Sequence, residues 1–134
     1  MLRRHVLAAA VVAAATSVVC VPTAAAETFV AADSSNRLYT FDDADPGKWT
    51  RSSKAVTGLA EGERIVGLDV RPAGRQLLAV TNQGRLYVVQ RSKAAATALG
   101  TGSFSPALSG TAFGFDFNPT VDRIRLVADS GQNL

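Results

Sequence analysis

Two aspartates carry the one spacing in this chain that suggests chemistry. Asp69 sits in Gly67-Leu68-Asp69-Val70-Arg71-Pro72, and Asp116 in Gly114-Phe115-Asp116-Phe117-Asn118-Pro119, 47 residues further on. Carboxylates that recur with a structural repeat can gather about a common axis, where they would hold a hard cation such as Ca²⁺, which takes oxygen ligands. The same recurrence suits a plainer role. An Asp close to a strand-ending Pro can accept hydrogen bonds from turn amides, and polar residues that recur with a repeat mostly serve the repeat itself. We expect that second role for both, with Ca²⁺ as the only cofactor left open and Asp69 and Asp116 as its candidate ligands.

Other polar clusters offer less. Asp42-Asp43-Ala44-Asp45-Pro46-Gly47 is acidic, but it lacks the third ligand spacing and the terminal bidentate Glu of a calcium loop, so it reads as a solvated hairpin turn. Gly100-Thr101-Gly102-Ser103 has no Lys after it and no helix to aim at an anion, so it reads as a connection. Serines are plentiful (Ser34, Ser35, Ser52, Ser53, Ser103, Ser105, Ser109), without a G-x-S-x-G elbow. A Ser–Lys pair with Lys48, Lys54 or Lys93 is formally open, and no spacing selects one. Trp49, Phe104 and Phe113 could face a sugar or a peptide; in a small β domain such aromatics are expected in the core.

The only His (His5) and the only Cys (Cys20) lie in an N-terminal stretch with the order of a secretory leader. Met1-Leu2-Arg3-Arg4 is basic, Val6–Val21 is almost wholly apolar, and Thr23-Ala24-Ala25-Ala26 supplies the small residues a signal peptidase reads, so cleavage is expected after Ala26. The apolar run is shorter than the roughly 20 residues of a spanning helix, and no stop-transfer cluster follows it. Arg3-Arg4-His5-Val6-Leu7 also fits the twin-arginine outline, but a basic pair begins most leaders and general secretion is the expected route. Bulky Val19 before Cys20 argues against a lipidated cysteine.

The mature segment, residues 27–134, would then hold no imidazole and no thiol, which leaves no disulfide, no triad base and no zinc site. Of fourteen basic residues Arg3 and Arg4 leave with the signal, so twelve face eleven acidic ones. No Lys/Arg-dense segment remains, and neither nucleic acid nor, after cleavage, a membrane is an expected partner.

The elements that must position the two aspartates follow from the repeat. The offset of 47 that joins Gly67–Pro72 to Gly114–Pro119 also carries Leu77 onto Ile124, Val80 onto Val127 and Gly84 onto Gly131. A partial earlier copy stands 48 residues before the second: Asn36-Arg37-Leu38-Tyr39 against Gly84-Arg85-Leu86-Tyr87. The middle unit reads as four strands, Ile65–Arg71, Gln76–Thr81, Arg85–Arg91 and a weaker Ala95–Leu99. Pro72-Ala73-Gly74, Asn82-Gln83-Gly84 and Ser92-Lys93 punctuate them as turns. Leu77-Leu78-Ala79-Val80 is continuously apolar, as for a strand buried on both faces. Four strands per unit and a period of about 47 residues describe an all-β, β-propeller-like repeat of four-stranded blades. A β-sandwich would not account for the sustained offset. About two and a third units are present where propellers close with at least four, so the chain is expected to be a fragment of the closed form.

The run Phe104-Ser105-Pro106-Ala107-Leu108-Ser109-Gly110, Gly114–Pro119, Asp122-Arg123-Ile124-Arg125 and Gly131-Gln132-Asn133 resembles a bacterial family catalogued as domain of unknown function 4394. Asn36-Arg37-Leu38-Tyr39, Thr57-Gly58-Leu59-Ala60 and Gly67–Pro72 extend the resemblance over essentially all of 28–134. It implies a secreted protein with a propeller-like β-fold and supplies no activity. The chain departs from the family pattern at Gln90-Arg91-Ser92-Lys93, where an Asp-containing, Gly-ended turn is usual.

The functional expectation is an exported, non-catalytic β-propeller-type module that binds or scaffolds outside the membrane, its partner an extracellular protein or polymer. The alternative is a metal-assisted propeller hydrolase or lactonase whose remaining ligands lie in blades not present here.

Overall fold

A computed structural model describes residues 27–45, 47 and 53–134. The leader with its expected cleavage point at Ala26, and Pro46, Lys48, Trp49 and Ser52 of the motifs above, lie outside the described residues. Among the described residues nine strands follow one another: β1 Thr28–Ala32, β2 Arg37–Asp42, β3 Lys54–Ala55, β4 Ile65–Arg71, β5 Gln76–Thr81, β6 Leu86–Gln90, β7 Ala95–Leu99, β8 Phe113–Asn118 and β9 Arg123–Ala128. They pair with sequence neighbours into three antiparallel meanders, β1-β2-β3, β4-β5-β6-β7 and β8-β9. The protein is all-β, built of small antiparallel sheets in series, and among the described residues these do not close into a barrel or ring. No helix among those residues is long and apolar enough to cross a membrane.

The repeat is written in the backbone as well as in the side chains. Asn36, Gly84 and Gly131 close the β1–β2, β5–β6 and post-β9 turns with φ of 58°, 72° and 85°. Each donates its amide to the carbonyl three residues back: Asp33 at 3.0 Å, Thr81 at 2.9 Å and Ala128 at 3.0 Å. Left-handed geometry favours Gly, with Asn the next best tolerated, which is why those two residue types stand at the aligned position. The β4–β5 and β8–β9 turns match likewise through Arg75 (φ 52°) and Asp122 (φ 50°). These two bond back to the carbonyls of Arg71 and Asn118. The irregular Gln90–Lys93 turn still closes its hairpin: Gln90 pairs with Ala95, and the buried Ala94 takes the left-handed conformation (φ 53°) in place of a glycine.

β5 is the most enclosed strand, with Leu77 through Thr81 all buried. Its two faces meet different neighbours. Leu77 and Ala79 join Tyr87, Val89, Ala96 and Leu38 in the main core, against which Val30, Ala32, Leu68 and Val70 pack from β1 and β4. On the opposite face β4 lies against β8, so closely that a Cβ on Gly67 would stand 2.5 Å from Cβ of Phe115. Phe115 and Phe117 meet edge to face there, their centroids 5.9 Å apart.

Candidate functional site

The junctions between sheets hold the functional candidates, and Asp69 is central to one of them. Strand alternation turns its half-buried side chain from β4 toward β8. There Oδ2 accepts the Phe117 amide at 2.7 Å, while Oδ1 accepts the amide of Val70 at 2.7 Å. Both oxygens are therefore held by main-chain donors, one of them in the neighbouring sheet. The partners expected from sequence lay in the turn beside Pro72; they are strand amides instead.

Asp116 occupies the repeat-equivalent place on β8 and is exposed. Its neighbours Phe115 and Phe117 face the middle sheet, so Asp116 points the other way, opposite Arg125 of β9 in the pairing register. The structure thus does not bring Asp69 and Asp116 together: each points onward to the next position in the series. Among the described residues no group of three or more His, Cys, Asp or Glu is placed to hold a metal ion. A calcium site draws on six to eight oxygens, and the Asp69 carboxylate already has an amide on each of its own.

Beside Asp69 the same sheets are tied by an ion pair. Arg71 Nε lies 3.0 and 3.1 Å from Oδ1 and Oδ2 of Asp122, and its Nη2 completes a side-on fork. That guanidinium holds the Asp122 carboxyl below the usual aspartate range. Turn side chains make a parallel set of ties. Asn82 Oδ1 accepts the Arg64 amide at 2.7 Å, and 47 residues on Asp129 Oδ1 accepts the Thr111 amide at 2.9 Å. Asn36 reaches between sheets, with its Oδ1 taking the Ile65 amide at 2.9 Å and its Nδ2 donating to the Glu63 carbonyl at 2.8 Å.

A second polar cluster lies inside the middle sheet. Glu63 is 4% exposed and Tyr87 1%. Glu63 Oε2 accepts the Tyr87 hydroxyl in a short hydrogen bond and the Ala60 amide at 3.1 Å. Its Oε1 accepts the Thr81 hydroxyl at 3.0 Å, with Arg85 Nε 3.8 Å away. The Arg85 guanidinium also stands 5.9 Å over the Tyr87 ring. Burial, and then the bond to Glu63, raise the Tyr87 phenol above its ordinary value. The first sheet has a smaller version, in which Tyr39 donates to Asp33 Oδ2 at 2.7 Å.

Sequence reasoning overlooked Glu63 and the Arg71–Asp122 pair. The aligned Tyr39 and Tyr87 were the available signal, since a buried tyrosine hydroxyl seeks a partner. The partner comes from different places in the two units, Asp33 in a turn and Glu63 before β4, so no common spacing marks it.

The remaining candidates sit apart. Asp42 accepts the Ala44 amide, as in a local turn, and Asp43 accepts the Glu27 amide across the open end of the β1–β2 hairpin. Gly100–Ser103 is an exposed connection after β7. Lys54 Nζ donates to the main-chain carbonyl of Ser92 at 2.5 Å. Phe104 fills space between the middle and last sheets with Leu86, Ile124, Leu126 and Leu134 around a small apolar recess.

The family model described as Domain of unknown function (DUF4394) matches residues 37–134, and the chain belongs to that family. Neither the search of curated proteins nor the search of solved structures returns a match.

Proposed function

We propose that this DUF4394 protein is an exported β-propeller-type module that acts by binding or scaffolding outside the membrane and not by catalysis. One observation carries the reading. The three meanders repeat the same left-handed turns at equivalent positions, and the first strand of one sheet, β4, is bonded to the first strand of the next, β8. Sheets joined in series through their first strands are the arrangement of propeller blades around an axis. The best-placed carboxylates, those of Asp69, Glu63 and Asp122, have structural partners, which suits a scaffold that presents a surface. An extracellular protein or polymer is the corresponding class of partner.

The reading is tested on material secreted by the producing cell. N-terminal sequencing should begin at Glu27, and a chain starting at Met1 or at a lipid-modified Cys20 would sink the export half. The same material is then offered ester, lactone and phosphoester substrates with and without Ca²⁺, Mn²⁺ or Zn²⁺. Turnover that disappears in Asp69→Asn would replace the binding module with the metal-assisted hydrolase.

A further inference from the structure

Two arginines of the middle sheet face a polar recess. The β4–β5 turn carries Arg75 and the β6–β7 turn carries Arg91. Pairing of Arg71 with Gln76 and of Gln90 with Ala95 puts both turns at one end of that sheet. With Glu27 and Thr28, at the start of β1, the two arginines line a recess of about 520 Å³. That size lies within the roughly 300–1,000 Å³ of ligand pockets, and all four of these residues are polar or charged. Both arginines are exposed, and among the described residues neither guanidinium has an ion-pair or hydrogen-bond partner.

The fold does not ask for a base at either place. Arg75 holds φ 52°, a left-handed conformation that Gly or Asn adopts more readily, and its counterpart 47 residues on is the acidic Asp122. Asp122 meets the guanidinium of Arg71, whereas Arg75 sets the opposite charge at the matching position and meets no acid. Arg91 shows the same reversal. At the 48-residue offset Asp42, Asp43 and Asp45 of the first sheet correspond to Gln90, Arg91 and Lys93 of the middle one. An exposed turn closes with either sign, so the positive charge is a property of this turn and not of the repeat. Lys54, whose Nζ sits on the Ser92 carbonyl at 2.5 Å, adds to it. Residues 1–26 contain neither Asp nor Glu, so the stretch before β1 offers these arginines no carboxylate.

We infer that this recess binds a carboxylate-bearing sugar unit of an acidic polysaccharide outside the membrane. Arg75 and Arg91 take the carboxylate, because planar guanidinium forks match the two oxygens of that group. The Thr28 hydroxyl and the Glu27 carboxylate are left to bond the ring hydroxyls. Glu27 also selects against a more highly charged anion: its own negative charge lines the recess and would repel a phosphate dianion while accepting a hydroxyl proton. A polar-lined recess suits a hydroxylated ring and gives no bed to the apolar side chains of a peptide. Further acidic units of the polymer would run past Lys93. The inference rests on the binding-module reading and names its partner.

The test is calorimetric titration of the secreted chain with galacturonate tetramers. The parent should bind them, more weakly as salt is raised, and should not bind neutral dextran oligomers. Arg75→Asn, which suits the left-handed turn, and Arg91→Gln should each weaken binding roughly tenfold, as loss of a charge-assisted bond does, with the melting temperature held. Arg123→Gln, an exposed arginine on β9, should bind as the parent does. A parent that ignores the tetramer overturns the inference, and so does an equal loss in Arg123→Gln, which would mean general charge attraction. Polyglutamate or inorganic phosphate bound as tightly, with the same dependence on Arg75 and Arg91, overturns the sugar as occupant. Reducing ends measured in the same mixtures separate this inference from the reading beneath it. Ends that accumulate would keep the site and defeat the non-catalytic module, whereas no binding and no new ends defeats the site alone.

Discussion

The Oδ2 atom of Asp69 accepts the main-chain amide of Phe117 at 2.7 Å, so a side chain of the middle sheet substitutes for a strand at the inner side of the last. β4 and β8 are each first strands of their sheets, and their facing backbones are not paired with each other in a ladder. An unpaired amide between them would cost free energy. The carboxylate supplies the missing acceptor without requiring the two sheets to merge. The short acidic side chain of Asp69 therefore lets the middle and last sheets stay separate and still be joined.

Asp69→Asn should lower stability by about 1–3 kcal/mol, because a carboxamide offers one acceptor where two amides need one each. Asp116→Asn should change little, since Asp116 is exposed. Thermal unfolding of both variants, with and without added calcium, makes the comparison. We expect no calcium-dependent rise in melting temperature in the parent; a rise that grows with calcium concentration and vanishes in Asp69→Asn would show a bound ion.

Gly67→Ala and Gly114→Ala test the same pair of faces sterically. At Gly67 the added carbon would sit 2.5 Å from Cβ of Phe115 and 2.9 Å from Cγ1 of Val80, atoms anchored close to their own backbones. Overpacking there should cost about 1–3 kcal/mol. At Gly114 the nearest atom is Cγ2 of Val127 at 3.0 Å, on a partly exposed side chain, and the cost should be smaller. Urea denaturation resolves the difference, and equal losses would mean that β4 and β8 are not in contact.

Acid should act through Asp33, Asp122 and Asp129. The Arg37 amide lowers Asp33, the Arg71 guanidinium lowers Asp122 and the Thr111 hydroxyl lowers Asp129. A carboxylate with a depressed folded-state pKa contributes stability above its unfolded value, and that contribution fades as pH falls through the folded one. Melting temperature should therefore hold from neutral pH down to about 3.9, the ordinary aspartate value, and drop beneath it. In Asp122→Asn the deficit relative to the parent should be full at neutral pH and shrink below that point; a deficit independent of pH would assign it to turn geometry at Asp122 and not to the ion pair.

The strand order was legible because the signals are local. Pro72 and Pro119 stop strands, Gly84 and Gly131 turn the chain left-handed, and Leu77–Val80 has no polar residue to set a face. Three of the four strands of the middle unit fall on the residues the pattern indicates, and the other, β6, is trimmed by one residue at each end. What the pattern could not give is which neighbour a polar side chain chooses. Asp69 could serve its own turn or the next sheet, and that is decided by how closely Gly67 lets β8 approach. Glu63 precedes its strand and finds Tyr87 only after three strands have folded back on one another, so sequence distance concealed it.

The Glu63–Tyr87 contact gives the last prediction. Glu63 is buried with three hydrogen-bond donors on its two oxygens, from Tyr87, Thr81 and Ala60. In Glu63→Gln one oxygen becomes an amide that can only donate, so at least one of those donors loses its acceptor and faces another N–H. The loss should be about 1–3 kcal/mol, with no relief from solvent at a site this enclosed. Tyr87→Phe removes only one donor, leaves Oε2 its bond to Ala60 and should cost less. Alkali separates the two further. Because the folded state raises the Tyr87 phenol, its contribution is complete below the unfolded value of about 10 and is lost as pH climbs through the folded one. The parent should lose stability in strong alkali more steeply than Tyr87→Phe, as followed by denaturant midpoints with tyrosinate absorbance as the monitor. Parallel curves would mean that the Tyr87 hydroxyl is not held by Glu63.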